Sequence, residues 1–241
     1  MQSGHRLTVG QIVAETPAAA RVFDDHKIDY FAEGKELLEV ACGKVGIRPD
    51  RILEEIRLAA QTEIPTDRHD WHSAPMRDLI HHIINAHHSF LEVQLPLLDS
   101  MIARSAGIHS KDDATYSHLR QVFQQFRNEI ERHNKREEMV LFPAIIALER
   151  ATEANYRGPK KSFGFATETI DSMEGEHESI HELLSEIRRI TNEYQPASSA
   201  RGTDRSLFHD LRDFEANMRR HFHLENNILF PRAAALEAAQ S

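Results

Sequence analysis

The sequence predicts an all-α protein whose main part is an up-down-up-down bundle of four long helices. Apolar residues recur in steps of three and four through four long segments, at roughly 76–104, 115–149, 165–193 and 204–230. Glycines, prolines and serines concentrate in the connections near 105–114, 150–164 and 194–203. No stretch alternates apolar and polar residues for long enough to predict a strand.

Composition excludes several classes of protein. The chain has 241 residues and a formal net charge of -9 with neutral histidines, so neither nucleic acid nor an anionic membrane is expected as main partner. The single cysteine, Cys42, excludes an internal disulfide framework and any CxxC motif. No segment approaches about eighteen consecutive apolar residues, so we expect neither signal peptide nor membrane span, and a cytoplasmic protein.

Two parts are expected along the chain. Residues 1–62 predict a small helical domain, because Thr8-x-x-Gln11 is a capping box and Thr16-Pro17 is typical of a helix start. Residues 63–74 are polar, aperiodic and contain a proline, which indicates a linker. The bundle then occupies 75–241.

The apolar series of each long helix is interrupted once. At each interruption, polar residues occupy the positions where the repeat of three and four would place apolar ones. These side chains are His88, His133, Glu137, His177, His221 and Glu225. A bundle built on this phase turns all six inward. Buried carboxylates without partners cost several kcal/mol, and four imidazoles cannot satisfy two of them, so we expect cations at the centre.

The chain also carries an internal duplication. The motif HxxxExxxLFP occurs at 133–143 and again at 221–231, and a lone histidine stands at a matching distance before each copy, His88 and His177. The bundle is therefore predicted to consist of two similar helical hairpins. Each would supply one lone histidine and one His-x-x-x-Glu pair, which suits two metal ions bridged by both carboxylates.

The donor types indicate the metal. Imidazole and carboxylate without thiolate fit iron, manganese or zinc. Two octahedral ions offer roughly twelve positions, and four histidines, two bridging glutamates and an oxo or hydroxo bridge leave about one position open on each. We predict two non-haem iron ions, because tetrahedral zinc would use fewer ligands.

Several motifs resemble those of the RIC family (repair of iron centres, the YtfE/ScdA type) of hemerythrin-like di-iron proteins. Beside the six residues above, they are Thr8-Val-Gly-Gln-Ile, Asp29-Tyr30, Gly34-Lys35, Trp71-His-Ser-Ala-Pro75, Met173-Glu-Gly-Glu-His177 and Leu224-Glu225-Asn226-Asn227. The resemblance implies a hemerythrin-like bundle after an ScdA-N-like domain, and it assigns iron ligation to the same six residues.

The resemblance also implies a function: restoring iron–sulfur clusters damaged by nitric oxide or oxidants, by donating iron to damaged or apo iron–sulfur proteins. The alternatives are a protein that binds or senses nitric oxide or oxygen, an enzyme that reduces nitric oxide at the two irons, and a helical interaction module with incidental histidines. The N-terminal domain is expected to dock a partner or a second copy of the chain, which would make a homodimer.

The chain departs from the family pattern after Tyr30. The family usually carries two adjacent cysteines at the positions where this chain has Phe31 and Ala32. An alternative origin for Ala32 is that it is an engineered residue. A redox thiol would then have to be Cys42, whose alternative role is that of a small buried hydrophobe.

Other histidines and glutamates are candidates for supporting roles. His181 follows His177 by one helical turn, as a second ligand does in oxygen-carrying hemerythrins; its alternative is the rim of the site. Glutamates that flank the ligands are candidate outer hydrogen-bond partners or surface charges: Glu92, Glu138, Glu176 and Glu178. The remaining histidines near the site are expected to be solvated or to support the ligands, namely His81, His82, His87 and His223. Three more are expected in exposed linkers: His69, His72 and His109.

Overall fold

A computed structural model describes residues 7–62, 70–109, 114–154, 165–196 and 202–240. Within these ranges the regular structure is helical, apart from one isolated antiparallel bridge between Thr8 and Leu37. The all-α prediction is confirmed. Residues 63–69 of the expected linker, with His69, and the side chain of His109 lie outside the described residues.

Residues 7–62, which we call the N-terminal module, form four short helices: α1 (Val9–Glu15), α2 (Ala19–Asp25), α3 (Leu38–Val45) and α4 (Pro49–Thr62). The predicted capping box starts α1. The backbone N–H of Gln11 donates to Thr8 Oγ1 at 3.2 Å, and that of Thr8 donates to Gln11 Oε1 at 2.9 Å. Both orphan N–H groups at the start of the helix are thereby satisfied.

The bundle consists of seven helical segments: α5 (Met76–Ile83), α6 (Ser89–His109), α7 (Thr115–Arg136), α8 (Phe142–Glu153), α9 (Phe165–Ile190), α10 (Gly202–Leu224) and α11 (Phe230–Gln240). Single π-helical turns join α5 to α6, α7 to α8 and α10 to α11. The chain therefore forms four long helices over 76–109, 115–153, 165–190 and 202–240, each packed on its two neighbours. The predicted bundle is confirmed, and its fourth helix runs ten residues beyond the expected end.

The π turns lie at 84–88, 137–141 and 225–229, each at or beside predicted ligands. The N–H of Phe142 reaches back five residues to the carbonyl of Glu137, and the N–H of Phe230 does the same to Glu225. A proline follows each phenylalanine and has no N–H to donate, which favours a widened turn there. Each π turn inserts one residue and so rotates the following side chains by roughly 100°.

The apolar core is divided in two. One cluster joins the N-terminal module to one end of the bundle and includes Phe23, Phe123 and Phe214. The other fills the opposite end and includes Leu79 and Phe230. The six predicted ligands occupy the layer between the two clusters. No helix in the described ranges is long and apolar enough to cross a membrane.

Candidate metal centre

The six predicted ligands converge in this layer. All six side chains are at most 3% exposed. They form two sets of four residues whose candidate ligand atoms lie within 4.8 Å of one another: His88 with His221, and His133 with His177, each set completed by Glu137 and Glu225. We call these the His88–His221 group and the His133–His177 group. The two carboxylates belong to both groups.

The spacing of the imidazoles suits one cation in each group. The Nε2 atoms of His88 and His221 are 3.1 Å apart, and those of His133 and His177 are 2.9 Å apart. Two nitrogens at about 2.1 Å from one metal ion and at right angles to each other are about 3.0 Å apart. Each histidine pair draws one ring from each hairpin of the duplication, so both hairpins contribute to both groups.

Hydrogen bonds at Nδ1 fix the orientation of three rings. His88 Nδ1 lies 2.7 Å from Glu138 Oε1, and His133 Nδ1 lies 2.9 Å from Glu176 Oε2. His177 Nδ1 lies 2.7 Å from the side-chain oxygen of Asn226. An oxygen acceptor at Nδ1 places the proton there, so the Nε2 lone pair of each neutral ring points into the centre.

The two buried carboxylates are short of hydrogen bonds. Both oxygens of Glu137 and Oε2 of Glu225 have no hydrogen-bond partner among the described residues, and the remaining oxygen, Glu225 Oε1, lies 2.9 Å from His221 Nε2. Burial and the charge of Glu137 raise the pKa of Glu225 well above its usual range. Burial would also raise the pKa of Glu137, but the charge of His133 outweighs it and holds that pKa well below the usual range. A bound cation would satisfy these oxygens and let both carboxylates ionise.

The two hairpins repeat the surroundings of the lone histidines. The residue after each candidate ligand glutamate, Glu138 or Asn226, accepts the hydrogen bond from the lone histidine of its own hairpin. The phenylalanines of the duplicated motif stack on the same rings, with centroids 5.7 Å apart for Phe142 on His88 and 5.8 Å apart for Phe230 on His177. The duplication therefore extends from the ligands to the groups that hold them.

This repetition fails at one pair of positions. Glu176, just before His177, holds His133 through its carboxylate, which the guanidinium of Arg136 also contacts. The matching residue before His88 is His87, whose ring stacks on His221 with centroids 5.4 Å apart. Nδ1 of His221 has no hydrogen-bond partner among the described residues.

Comparison with known families places most of the chain in one family. Residues 78–233 match the family described as hemerythrin HHE cation binding domain. The chain belongs to this hemerythrin family. Residues 5–60 match a second family, ScdA_N, described as a domain of unknown function, DUF542.

Curated relatives of this hemerythrin-family chain match it along nearly its whole length. The iron-sulfur cluster repair protein YtfE of Pectobacterium atrosepticum is 32% identical over 228 residues, which covers 94% of the chain and 96% of the relative. The proteins of the same name from Yersinia pestis (strain Pestoides F) and Yersinia pseudotuberculosis (serotype IB) are each 29% identical over 226 residues, with the same coverage. Membership of the RIC family, predicted from the sequence, is confirmed.

The supporting residues predicted for this hemerythrin-family centre divide into two sets. Glu138 and Glu176 each accept a hydrogen bond from a candidate ligand. Glu92 and Glu178 are exposed, and no hydrogen bond to a ligand imidazole is found for either among the described residues. Asn226 was not among the predicted supporting residues, although its position matches that of Glu138 in the duplication.

His181 and Cys42 lie away from the two groups. His181 Nε2 is 3.0 Å from Asp29 Oδ2, and its ring meets the ring of Phe31 edge-on at 4.8 Å. Phe31 is itself buried, whereas Ala32 is exposed. Cys42 is fully buried in α3, and burial raises the pKa of its thiol, so the reactive thiolate is disfavoured.

Of the histidines expected to be solvated or supporting, His87 and His223 are buried, which leaves the supporting alternative for both. His87 has Nδ1 3.0 Å from the side-chain oxygen of Asn217, and His223 has Nδ1 2.9 Å from Asn227 Nδ2. Both His87 and His88 lie in the π turn at 84–88 and are buried. His81 and His72 are exposed, and His82 is half-buried.

Proposed function

We propose that the protein holds two non-haem iron ions, one in each group, and supplies iron to damaged or apo iron–sulfur proteins. The observation that supports it best is the pair of four-residue groups that share Glu137 and Glu225, because three of the four buried oxygens of these carboxylates lack a hydrogen-bond partner among the described residues. The name of the curated relatives, iron-sulfur cluster repair protein, supports the delivery role.

The roles of the residues follow from their positions. Glu137 and Glu225, which belong to both groups, would hold both ions, and the four histidines would hold one or the other through Nε2. Glu138, Glu176 and Asn226 hold three of the rings in the binding tautomer. When bound, the iron supplies Lewis-acid and one-electron redox chemistry. The net charge of -9 disfavours nucleic acid as a partner, which is consistent with a protein acceptor.

The test is iron transfer under anaerobic conditions. Protein purified without an affinity tag and loaded with ferrous iron is mixed with an apo iron–sulfur acceptor, sulfide and thiol, and cluster formation is followed by absorption. We expect faster rebuilding than with the same concentration of free ferrous iron, and no acceleration by a His133→Ala variant. Equal rates for loaded protein and free iron would contradict delivery. Elemental analysis and a Mössbauer spectrum of the loaded protein test the identity and number of the ions.

A second candidate function is binding or reduction of nitric oxide or oxygen at the same site. It is favoured by the donor count, because four imidazole nitrogens and four carboxylate oxygens leave part of the roughly twelve positions of two octahedral ions free. Reversible optical changes with either gas would support binding. Nitrous oxide in the headspace under reducing turnover would support reduction.

A further inference from the structure

The π turn at 225–229 carries three consecutive residues that face two different parts of the molecule. Glu225 belongs to both candidate metal groups, and Asn226 accepts the hydrogen bond from His177 Nδ1 at 2.7 Å. Asn227, the next residue, contacts the N-terminal module. One turn of helix therefore connects the metal centre to the module.

The contact at Asn227 is unusually close. Its Nδ2 donates to the backbone carbonyl of Tyr30 at 3.0 Å and to His223 Nδ1 at 2.9 Å. Its Oδ1 lies against Gly10 and Gly34, and a Cβ added at either glycine would lie only 2.3 Å from that oxygen. These two positions need glycine because the asparagine side chain occupies the space that a side chain would fill.

Further contacts seat the module on the third and fourth bundle helices. Asp29 Oδ2 lies 3.0 Å from His181 Nε2, and Lys35 Nζ lies 2.8 Å from Glu174. The guanidinium of Arg219 lies over the ring of Tyr30, 5.2 Å from its centroid. Because these contacts fall on both sides of Asn227 along the bundle, the module is docked as a body rather than at one point.

A second path of contacts links the module to the ligand rings. The ring of Phe31 lies 5.9 Å from that of Phe222, which lies 4.1 Å from the ring of His177 and 5.1 Å from that of His221. Movement of the module would therefore free both the turn that carries Glu225 and the aromatic packing behind two ligands.

Among the described residues, the other hairpin carries no comparable contact. The residue that matches Asn227 in the duplication is Met139, and it is 68% exposed. The π turn at 137–141 thus carries a ligand glutamate and its hydrogen-bonding neighbour, Glu138, without a module on the following residue. The contact at Asn227 is an addition to the duplicated metal-binding unit and is not required by ligation itself.

We propose that the N-terminal module is a latch on the metal centre, and that its undocking from Asn227 loosens Glu225 and lets a metal ion leave. While the module is docked, the turn cannot shift without breaking the bonds of Asn227 and moving Asn226 off His177. A protein acceptor that draws the module away would trigger release at the point of delivery. This last step rests on the proposed delivery function; the latch itself does not.

The test measures release without any acceptor. The full chain is loaded with ferrous iron, mixed anaerobically with an excess of a coloured ferrous chelator, and the rate of iron capture is compared among variants. Gly10→Ala and Gly34→Ala crowd Asn227, and Asn227→Ala removes its bonds with little risk to folding. Gly43→Ala is the matched control, because this glycine of the same module is exposed and an added Cβ would meet nothing within 4 Å.

We expect the three variants at the contact to release iron about tenfold faster than the wild type, within the range known for losing a supporting contact of a metal ligand. Gly43→Ala should release at the wild-type rate. Wild-type rates in Asn227→Ala and Gly34→Ala, or equal acceleration by Gly43→Ala, would overturn the latch. If the delivery function alone is wrong, the latch variants still differ in this assay while no variant accelerates cluster rebuilding in an acceptor.

Discussion

The imidazole of His87 stacks on that of His221, with ring centroids 5.4 Å apart and planes 5° from parallel. In the other hairpin the matching residue, Glu176, is a hydrogen-bond acceptor for His133 instead. A carboxylate at Nδ1 raises the basicity of a ligand imidazole, and a stacked ring does not. The His133–His177 group is therefore better supported than the His88–His221 group, in which Nδ1 of His221 has no partner among the described residues.

This difference predicts that the two ions leave in separate steps. A chelator should remove iron from the loaded protein in two phases, the faster one from the His88–His221 group. His88→Ala should abolish the fast phase, and His177→Ala should abolish the slow one. The measurement is the time course of chelator absorbance. A single phase that accounts for all the iron would contradict the inequivalence of the groups.

Substitution of Glu176 should weaken metal binding, because Glu176→Gln removes the charge that supports His133. We expect a loss of about 10- to 100-fold in affinity, measured by competition with a chelator of known affinity. Glu92→Gln is the control: both glutamates are candidate supporting residues by sequence, but Glu92 is exposed. Equal effects of the two substitutions would contradict the role given to Glu176.

Substitution of His181 should leave the metal centre intact. His181 is bonded to Asp29 and lies outside both groups, so His181→Gln should keep the wild-type iron content and absorption spectrum after reconstitution. Elemental analysis and visible absorption check this. Asp29→Asn removes the same contact with the N-terminal module and is the control. Loss of one ion, or a shifted charge-transfer band, in His181→Gln but not in Asp29→Asn would show that His181 is a seventh ligand.

The carboxylate of Asp29 should make stability depend on pH. Burial would raise its pKa, but the hydrogen bond from His181 and the charge of Arg219 outweigh burial and lower it to about 2, from 3.8. The stabilisation, about 2 kcal/mol, is therefore fully present above pH 4 and is lost as the pH falls towards 2.

Urea unfolding of the metal-free wild type and of Asp29→Asn checks this expectation. The difference in free energy of unfolding between the two proteins should be largest at pH 5 and should shrink steadily towards pH 3. A difference that stays constant over this range would mean that the carboxylate charge is not what stabilises the docked module.

Phe222 should be a main contributor to stability beside the centre. It is fully buried and its ring contacts those of His133, His177 and His221. Phe222→Ala should cost about 3–5 kcal/mol through the cavity it leaves, measured by urea unfolding of the metal-free protein. Phe222→Leu fills most of that space and should cost clearly less. Similar losses for the two variants would argue against cavity formation as the cause.

Helical periodicity was enough to predict the bundle and the convergence of six polar side chains. His133 and Glu137 are one helical turn apart, and both continue the apolar stripe, so their inward direction depends only on the regular helix that precedes them. The same reasoning reached Glu138 and Glu176 as neighbours of ligands, but it could not separate them from Glu92. That choice depends on which ring faces which helix, and this is a matter of tertiary packing.

The π turns limited what the sequence could predict. Each π turn adds one residue to the helical repeat. When the spacing of apolar residues before the turn is extrapolated beyond it, the later side chains are therefore assigned to the wrong face of the helix. His87, which falls off the apolar stripe, was expected to be solvated or supporting; it is buried and stacks on His221. For two of the turns, at 137–141 and 225–229, the sequence does contain a signal. Pro143 and Pro231 have no backbone N–H to donate to the preceding turn, which favours a local departure from the regular α-helix.

The exposed Met139 marks where the two halves of the protein have ceased to be equivalent. The duplicated turn is covered by the N-terminal module in one hairpin, whereas the matching turn exposes Met139 to solvent in the other. The two copies should therefore accept different substitutions: position 139 tolerates most side chains that suit a helix surface, and position 227 does not.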